Sequence, residues 1–264
     1  MSTSSPGSAS HQPSATLSRR SFVGVTAAAA GALLVPQAQA APRRVLVWSE
    51  GTAQDDKAYP HDINSAIADG LRKKLTDWTI ETASLNDPAQ GCGEESLRNC
   101  DVLIWWGHKK HGDVTDENVA RIVRRVKEEG MGFIGVHSAH FAKATKRLLG
   151  TPCSWAAYEN DGCKCKVLIK DPSHPIVQGV NEFTLPEIER YSEPYRVPTP
   201  ESVPLEGMYV YPDGKEEATR LGLCWTIGKG RMFYFVPGHE TYHDFYIDSV
   251  QQIMANAVHW AARG

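Results

Sequence analysis

Five of the ten histidines fall in three short blocks, each directly after an apolar run. Gly107-His108-Lys109-Lys110-His111 follows Asp101-Val-Leu-Ile-Trp-Trp106. Gly135-Val-His137-Ser138-Ala-His140 follows Met131-Gly-Phe-Ile134, and Pro237-Gly-His239-Glu240 follows Arg231-Met-Phe-Tyr-Phe-Val236. Nothing in packing asks for histidine at such places. Imidazole suits zinc, iron, nickel and copper, and a catalytic metal site wants three protein ligands and an open position. His108, His137 and His239 meet that requirement from three separate segments. Glu240 would be a fourth ligand or the general base, and His111 and His140 further ligands or the donors that orient the others. A divalent transition metal, zinc foremost, is the expected cofactor. A metal-free pocket of neutral imidazoles that hold loops or substrate is the alternative.

Two other chemistries compete for the same residues. Ser138 could be a nucleophile with His239 as its base and Glu240 as the orienting acid. The register speaks against it: in Gly135-Val-His137-Ser138-Ala139 the residue at the tip of the turn is His137. Adjacent His239 and Glu240 would also point to opposite faces of extended backbone. His239-Glu-Thr-Tyr-His243 spells the zinc-protease pattern, which needs a helix to bring both histidines to one face. Pro237-Gly238 before it argues for a loop instead. Further along, Glu187, Glu189 and Glu193 alternate with Ile188, Tyr191 and Tyr195. Glu189 is the expected acid–base partner there, and the alternative is a solvated strand face. Trp106, His111, His140 and Tyr191 are the expected substrate contacts, and Glu240, His137, Ser138 and Glu189 the expected catalytic groups.

The surrounding pattern must position these residues. Arg44–Trp48, Trp78–Thr82, Asp101–Trp106, Gly132–Val136 and Arg231–Val236 read as strands, mostly continuous apolar runs of the kind a doubly covered sheet requires. Between them Ile63, Ile67, Leu71 and Leu75 keep helical spacing, as do Val119, Ile122, Val123 and Val126 behind the N-cap Thr115. Phe141–Leu149 and Ile247–Ala261 complete the helices. This alternation predicts an α/β, flavodoxin-like, doubly wound and mostly parallel sheet. The stretch from Cys163 to Trp225, rich in proline and short strand-like runs, reads as an antiparallel excursion over the strand carboxyl ends. Ligands gather at those ends in open α/β sheets, which is where the histidine blocks fall.

Ser18-Arg19-Arg20-Ser21-Phe22-Val23, an alanine-rich apolar stretch and Ala38-Gln39-Ala40 predict a twin-arginine signal peptide over residues 1–40, followed by one domain over 41–264. Its apolar stretch is shorter than the ~17–25 residues that span a bilayer, so no stable membrane anchor is expected. The expected location is the periplasm or outside the cell. The chain carries a net charge of −3 and no basic stripe, which excludes a nucleic-acid partner. Cys92, Cys100, Cys153, Cys163, Cys165 and Cys224 contain no CxxC pair, so a structural or disulfide role is favoured over metal binding. Asp171-Pro-Ser-His174-Pro175 reads as a turn, with His174 either pointing to the site or serving the turn itself.

Four ordered blocks resemble the signature of the trehalose-utilisation, or ThuA-like, family: Trp105-Trp-Gly-His-x-x-His111, Gly135-Val-His-Ser-x-His140, Ser173-His-Pro-Ile176 and Pro237-Gly-His-Glu-Thr241. The Asn256-Ala-Val-x-Trp260 ending is similar too, and the likeness runs from about Arg43 to the C-terminus. It implies a class I glutamine amidotransferase-like fold in which His137 stands at the superfamily's cysteine elbow and His239-Glu240 near its His-x-Glu pair. Amidotransferase chemistry is then lost. The resemblance further implies sugar catabolism on 3-keto derivatives of a disaccharide, made by a partner dehydrogenase, with no nucleotide cofactor. The chain departs from the family at Asn64, where relatives often carry histidine, and near Ala157-Tyr-Glu159, where they tend to have Trp-Arg-Glu. The expected function is metal-assisted isomerisation, hydration or cleavage beside a sugar ketone, with a non-catalytic carbohydrate-binding domain as the alternative.

Overall fold

The structure, a computed structural model, describes residues 43–53 and 58–262, and the expected leader over 1–40 lies outside them. The first half alternates: β1 (Arg43–Ser49), α1 (Ile63–Lys74), β2 (Trp78–Ser84), α2 (Glu94–Leu97), β3 (Val102–Trp106), α3 (Asp116–Glu129), β4 (Gly132–Val136) and α4 (Lys143–Leu149). Then come β5 (Ala157–Glu159), β6 (Lys164–Ile169), β7 (Phe183–Leu185), β8 (Arg190–Ser192), β9 (Ser202–Val210), β10 (Glu216–Ile227), β11 (Gly230–Phe235) and α5 (Asp248–Ala261).

Five strands in the order β2-β1-β3-β4-β11 run parallel, the flavodoxin-like order. β3 and β4 are buried at every position, which is why their sequences are unbroken apolar runs. The helices that cover them carry their own stop signals. Thr115 Oγ1 accepts from Asn118 N at the start of α3, and Gly130 adopts φ 82° at its end, a conformation glycine enters without steric cost. Val119, Ile122 and Val126 form its wholly buried stripe. The expected helix from Phe141 begins later: residues His137–Phe141 make a 3-10 turn and α4 starts at Lys143.

The expected excursion proves to be mainly lateral. β10, β9, β6 and β7 are antiparallel and extend the same sheet beyond β11. Among the described residues only a small antiparallel ribbon of β5 and β8 forms a separate sheet, and its Tyr191 rests against His137. Among the described residues no helix is long and apolar enough to cross a membrane.

Register decides what the sheet presents. Ser49 pairs with Trp106, Trp106 with Val136, and Val136 with Phe235. The carboxyl ends of four parallel strands are therefore level. Glu50, His108, His137 and His239 leave the sheet along one edge.

Candidate metal centre at the strand ends

His137 is the first residue past β4 and has φ 53°, a left-handed backbone that a non-glycine residue enters only under constraint. Its carbonyl accepts a 2.7 Å bond from the buried Tyr234 hydroxyl, which helps fix the turn. His239 is placed by a second sharp turn. Gly238 has φ 122°, and a Cβ there would meet Phe245 Cζ at 2.8 Å, so glycine is required both by the backbone and by space. Trp106 Nε1 donates to Gly238 O at 2.9 Å, and Asp244 Oδ2 accepts from Gly238 N at 2.9 Å, so the turn is tied from two sides.

The three rings meet edge to face. Their centroids are 5.2 Å apart for His108–His137, 5.0 Å for His108–His239 and 5.2 Å for His137–His239. Glu189, delivered by the loop just before β8, completes the group. One ligand atom from each of His108, His137, Glu189 and His239 lies within 4.8 Å of the others. Tetrahedral zinc with bonds near 2.0–2.1 Å spaces its ligands about 3.4 Å apart, so a small inward movement would close this set on an ion.

Hydrogen bonds around the rings decide which nitrogens are free. His108 Nδ1 lies 2.7 and 2.6 Å from the two Glu240 oxygens, so it carries the proton and leaves Nε2 a lone pair. His137 Nδ1 lies 3.4 Å from Val236 O, which as a carbonyl can only accept. His239 Nδ1 accepts the backbone N–H of Thr241 at 3.2 Å, with the Thr241 hydroxyl 2.8 Å away, so in the neutral ring the proton sits on Nε2. Nε2 of His137 and of His239 lie 3.1 and 4.0 Å from Glu189 Oε2, and the Tyr191 hydroxyl is 3.2 Å from His137 Nε2 and 3.1 Å from that same carboxylate oxygen. The donor set fits a divalent ion: it would select the tautomers that turn ring lone pairs inward and meet three imidazole nitrogens and one carboxylate oxygen.

Electrostatics follow the same plan. Burial alone would raise the Glu240 carboxyl, but hydrogen bonds from His108 and Lys109 outweigh it and hold the group far below the carboxylate range. Lys109 Nζ is 2.9 Å from Glu240 Oε1. The same Glu240 bond raises His108 against the opposing effect of burial. Glu189 is held at about 2, its burial overcome by His137 and the other two imidazoles. His239 is pushed down to about 4 by burial and the neighbouring His137, so it stays neutral and able to ligate at neutral pH.

Other expected residues lie elsewhere. Trp106, His140, Tyr191 and Ser138 are 0, 0, 1 and 3 % exposed and offer no surface to a substrate in this conformation. They form the floor of the site. Tyr191 donates to Glu189 Oε2 at 3.1 Å, and its oxygen is 2.7 Å from Ser138 Oγ. The hydroxyl partner of Ser138 is thus a phenol, not an imidazole, and no serine–histidine pair is formed. Glu240 turns away from the expected role of base and orients His108. His111 and His140 stay outside the ligand group; burial pushes them down to about 4 and about 3. His239 and His243 lie in a non-helical stretch, which removes the protease pattern. Glu193 binds Arg220 at 2.7 Å, so the alternating glutamates part company. Of the two readings of His174, the turn role holds: Nδ1 accepts from Ile176 N at 3.2 Å. All six cysteines are free and buried, and none joins the histidine cluster.

Glu50 and Lys109 are not among the expected residues. Glu50 is 1 % exposed and accepts from the backbone N–H groups of Lys109 at 2.5 Å and Lys110 at 2.8 Å, clamping the loop that carries His108. The strand-end rule that finds the histidines also reaches Glu50, the residue directly after β1.

Asp244 supplies a test of the turn beneath His239. Burial pushes its carboxyl up to about 7, with Glu187 adding and the Gly238 N–H opposing. A carboxyl raised above its unfolded value of about 3.9 contributes stability that is complete below pH ~4 and lost as pH rises through ~7. Asp244→Asn should therefore flatten the decline of Tm between pH ~4 and ~7, measured by thermal melts across that range.

The chain matches known proteins over most of its length. The family model for ThuA, trehalose utilisation, matches residues 44–261. No curated protein sequence matches it. Among solved structures, a ThuA-like protein from Bacteroides uniformis superposes with TM-score 0.59 at 19% identity, covering 85% of this chain and 93% of that one. A cytoplasmic protein from Salmonella typhimurium gives 0.54 at 13% identity, over 83% of this chain and 99% of that one. A GMP synthase component from Thermoplasma acidophilum gives 0.51 at 12% identity, over 84% and 94%. At these identities the structures speak for the fold alone, the mostly parallel α/β sheet expected from the sequence. The family match spans nearly the whole described domain: the chain belongs to the ThuA, trehalose-utilisation family.

Proposed function

We propose that the protein is an exported, metal-dependent enzyme acting on a keto-sugar, most simply a 3-keto derivative of a disaccharide supplied by a sugar dehydrogenase. The observation that carries this reading is the convergence of His108, His137, His239 and Glu189, each offering one ligand atom within 4.8 Å of the others. Three imidazoles and one carboxylate suit zinc, and equally iron, nickel or manganese. A bound divalent ion would polarise a carbonyl oxygen and stabilise negative charge developing beside it.

The chain's own groups divide the remaining work. Glu240 and Lys109 fix the His108 ring; Val236 O and Thr241 fix the other two. With the three imidazoles holding the ion, Glu189, half-buried and kept ionised, can leave it open to substrate and accept a proton from carbon or water next to the carbonyl. Tyr191, with its hydroxyl on Glu189, holds that carboxylate in place. Isomerisation, hydration and cleavage beside a ketone all begin with such a step. The six free buried cysteines agree with folding in a reducing compartment before twin-arginine export to the periplasm.

Turnover of 3-keto-trehalose by the metal-loaded protein, followed by loss of the ketone, tests the activity. Turnover abolished by chelation and restored by one divalent metal is expected. Sugar binding without turnover under any metal would instead leave a binding module. Glu240→Gln should weaken metal binding about 10–100-fold, because a neutral amide no longer fixes the His108 tautomer. Metal titration of the variant checks this, and an unchanged affinity would mean Glu240 does not act through His108.

A further inference from the structure

The cluster accounts for the reacting end of a substrate but not for how the rest of it is held. A pyranose has an apolar C–H face and a rim of hydroxyls, so it is recognised by an aromatic face bordered by a few polar atoms. Most tyrosines near the cluster cannot serve: Tyr191, Tyr195, Tyr209 and Tyr234 are buried. Tyr158 is half-buried, but its ring lies parallel to that of His140 at 5.6 Å, outside the ligand group.

Tyr242 is different. It is half-buried, and its ring centroid is 5.3 Å from that of the ligand His239, with the planes inclined by 42°. It is also anchored at both ends. Its carbonyl accepts a 2.5 Å bond from the buried Tyr59 hydroxyl, whose ring in turn packs against Phe245 and Tyr246. Its own hydroxyl donates to Asn160 Oδ1, in the loop after β5. That bond ties the His239 loop to the β5/β8 ribbon across a sequence separation of 82 residues. With Oδ1 occupied, the Asn160 amide keeps two N–H donors. A ring fixed in this way pays little ordering entropy when a ligand stacks on it, which is what preorganised sites achieve.

Resting on the carbohydrate reading above, we infer that Tyr242, pinned between Tyr59 and Asn160 beside His239, is the wall on which one sugar ring of the substrate stacks. Asn160 then supplies hydroxyl recognition at the edge of that wall. The residue sets affinity and ring orientation and carries no proton in the reaction.

Calorimetric titration of the metal-loaded protein with trehalose and with 3-keto-trehalose tests the assignment. Wild type should bind at least one of them. Tyr242→Ala should weaken that binding about tenfold or more with metal content unchanged, and Tyr242→Phe should keep most of it. Asn160→Ala, at an exposed position with no part in the core, should weaken binding about threefold and serves if Tyr242→Ala fails to fold. If wild type binds and both alanine variants bind equally well, the wall is wrong while the proposed function stands. If wild type binds neither sugar, the carbohydrate reading falls and the wall falls with it.

Discussion

Replacing His137 by alanine is expected to lower divalent-metal affinity by more than about a hundredfold and to abolish any metal-dependent turnover, since it removes the ligand nearest Glu189. His140 lies three residues on, but its ring is buried with Nδ1 beside His137 O and Tyr234 and stays outside the ligand group. A second signature separates loss of a ligand from general damage. Glu189 sits at about 2, where His137 outweighs the opposing effect of burial. A carboxylate depressed below its unfolded value of about 4.3 contributes stability that is present above that pH and lost as pH falls through ~2. Without His137 the Glu189 carboxyl should titrate higher, and the acid limb of the stability profile should begin at higher pH. Metal titration and acid unfolding of the same variant measure both effects. Unchanged metal affinity would remove His137 from the centre.

Trp106→Ala is expected to cost about 3–5 kcal/mol of stability, as for other fully buried tryptophans, and to loosen the turn that carries His239. The indole is wholly buried at the end of β3 and donates to Gly238 O. Trp106→Phe keeps much of the packing but leaves that carbonyl without its donor, at about 1–2 kcal/mol. Thermal or urea melts of both variants measure the cost, and metal affinity reports the loosened turn. A direct substrate contact would behave in the opposite way, with stability unchanged and KM raised.

The fold was legible where local pattern and global environment agree. β3 and β4 are continuous apolar runs because both faces of the sheet are covered, and α3 begins at Thr115 and ends before Gly130 because both caps are present. Three of the four cluster residues follow from one rule, that ligands gather where parallel strands end. Glu189 was visible only as one carboxylate among alternating neighbours. Its place depends on β8 pairing with β5 some thirty residues earlier, a long-range contact with no periodic trace. The inward direction of Trp106, His140 and Tyr191 was equally hidden. An aromatic at a strand end can face a ligand or the floor beneath it, and here the Gly238 turn and the β5/β8 ribbon cover all three. The lateral course of the antiparallel strands comes from β10, whose twelve residues pair with β11 on one side and β9 on the other.

Metal stoichiometry tests the central claim most directly. The purified protein should be incubated with zinc, manganese, nickel and iron in turn, passed through a desalting column, and measured by elemental analysis beside a His108→Ala/His239→Ala double variant. A metal centre built on these imidazoles predicts about one equivalent of a divalent metal per wild-type chain and almost none in the double variant. Less than about a tenth of an equivalent of every metal in the wild type, or equal retention by the double variant, would contradict it.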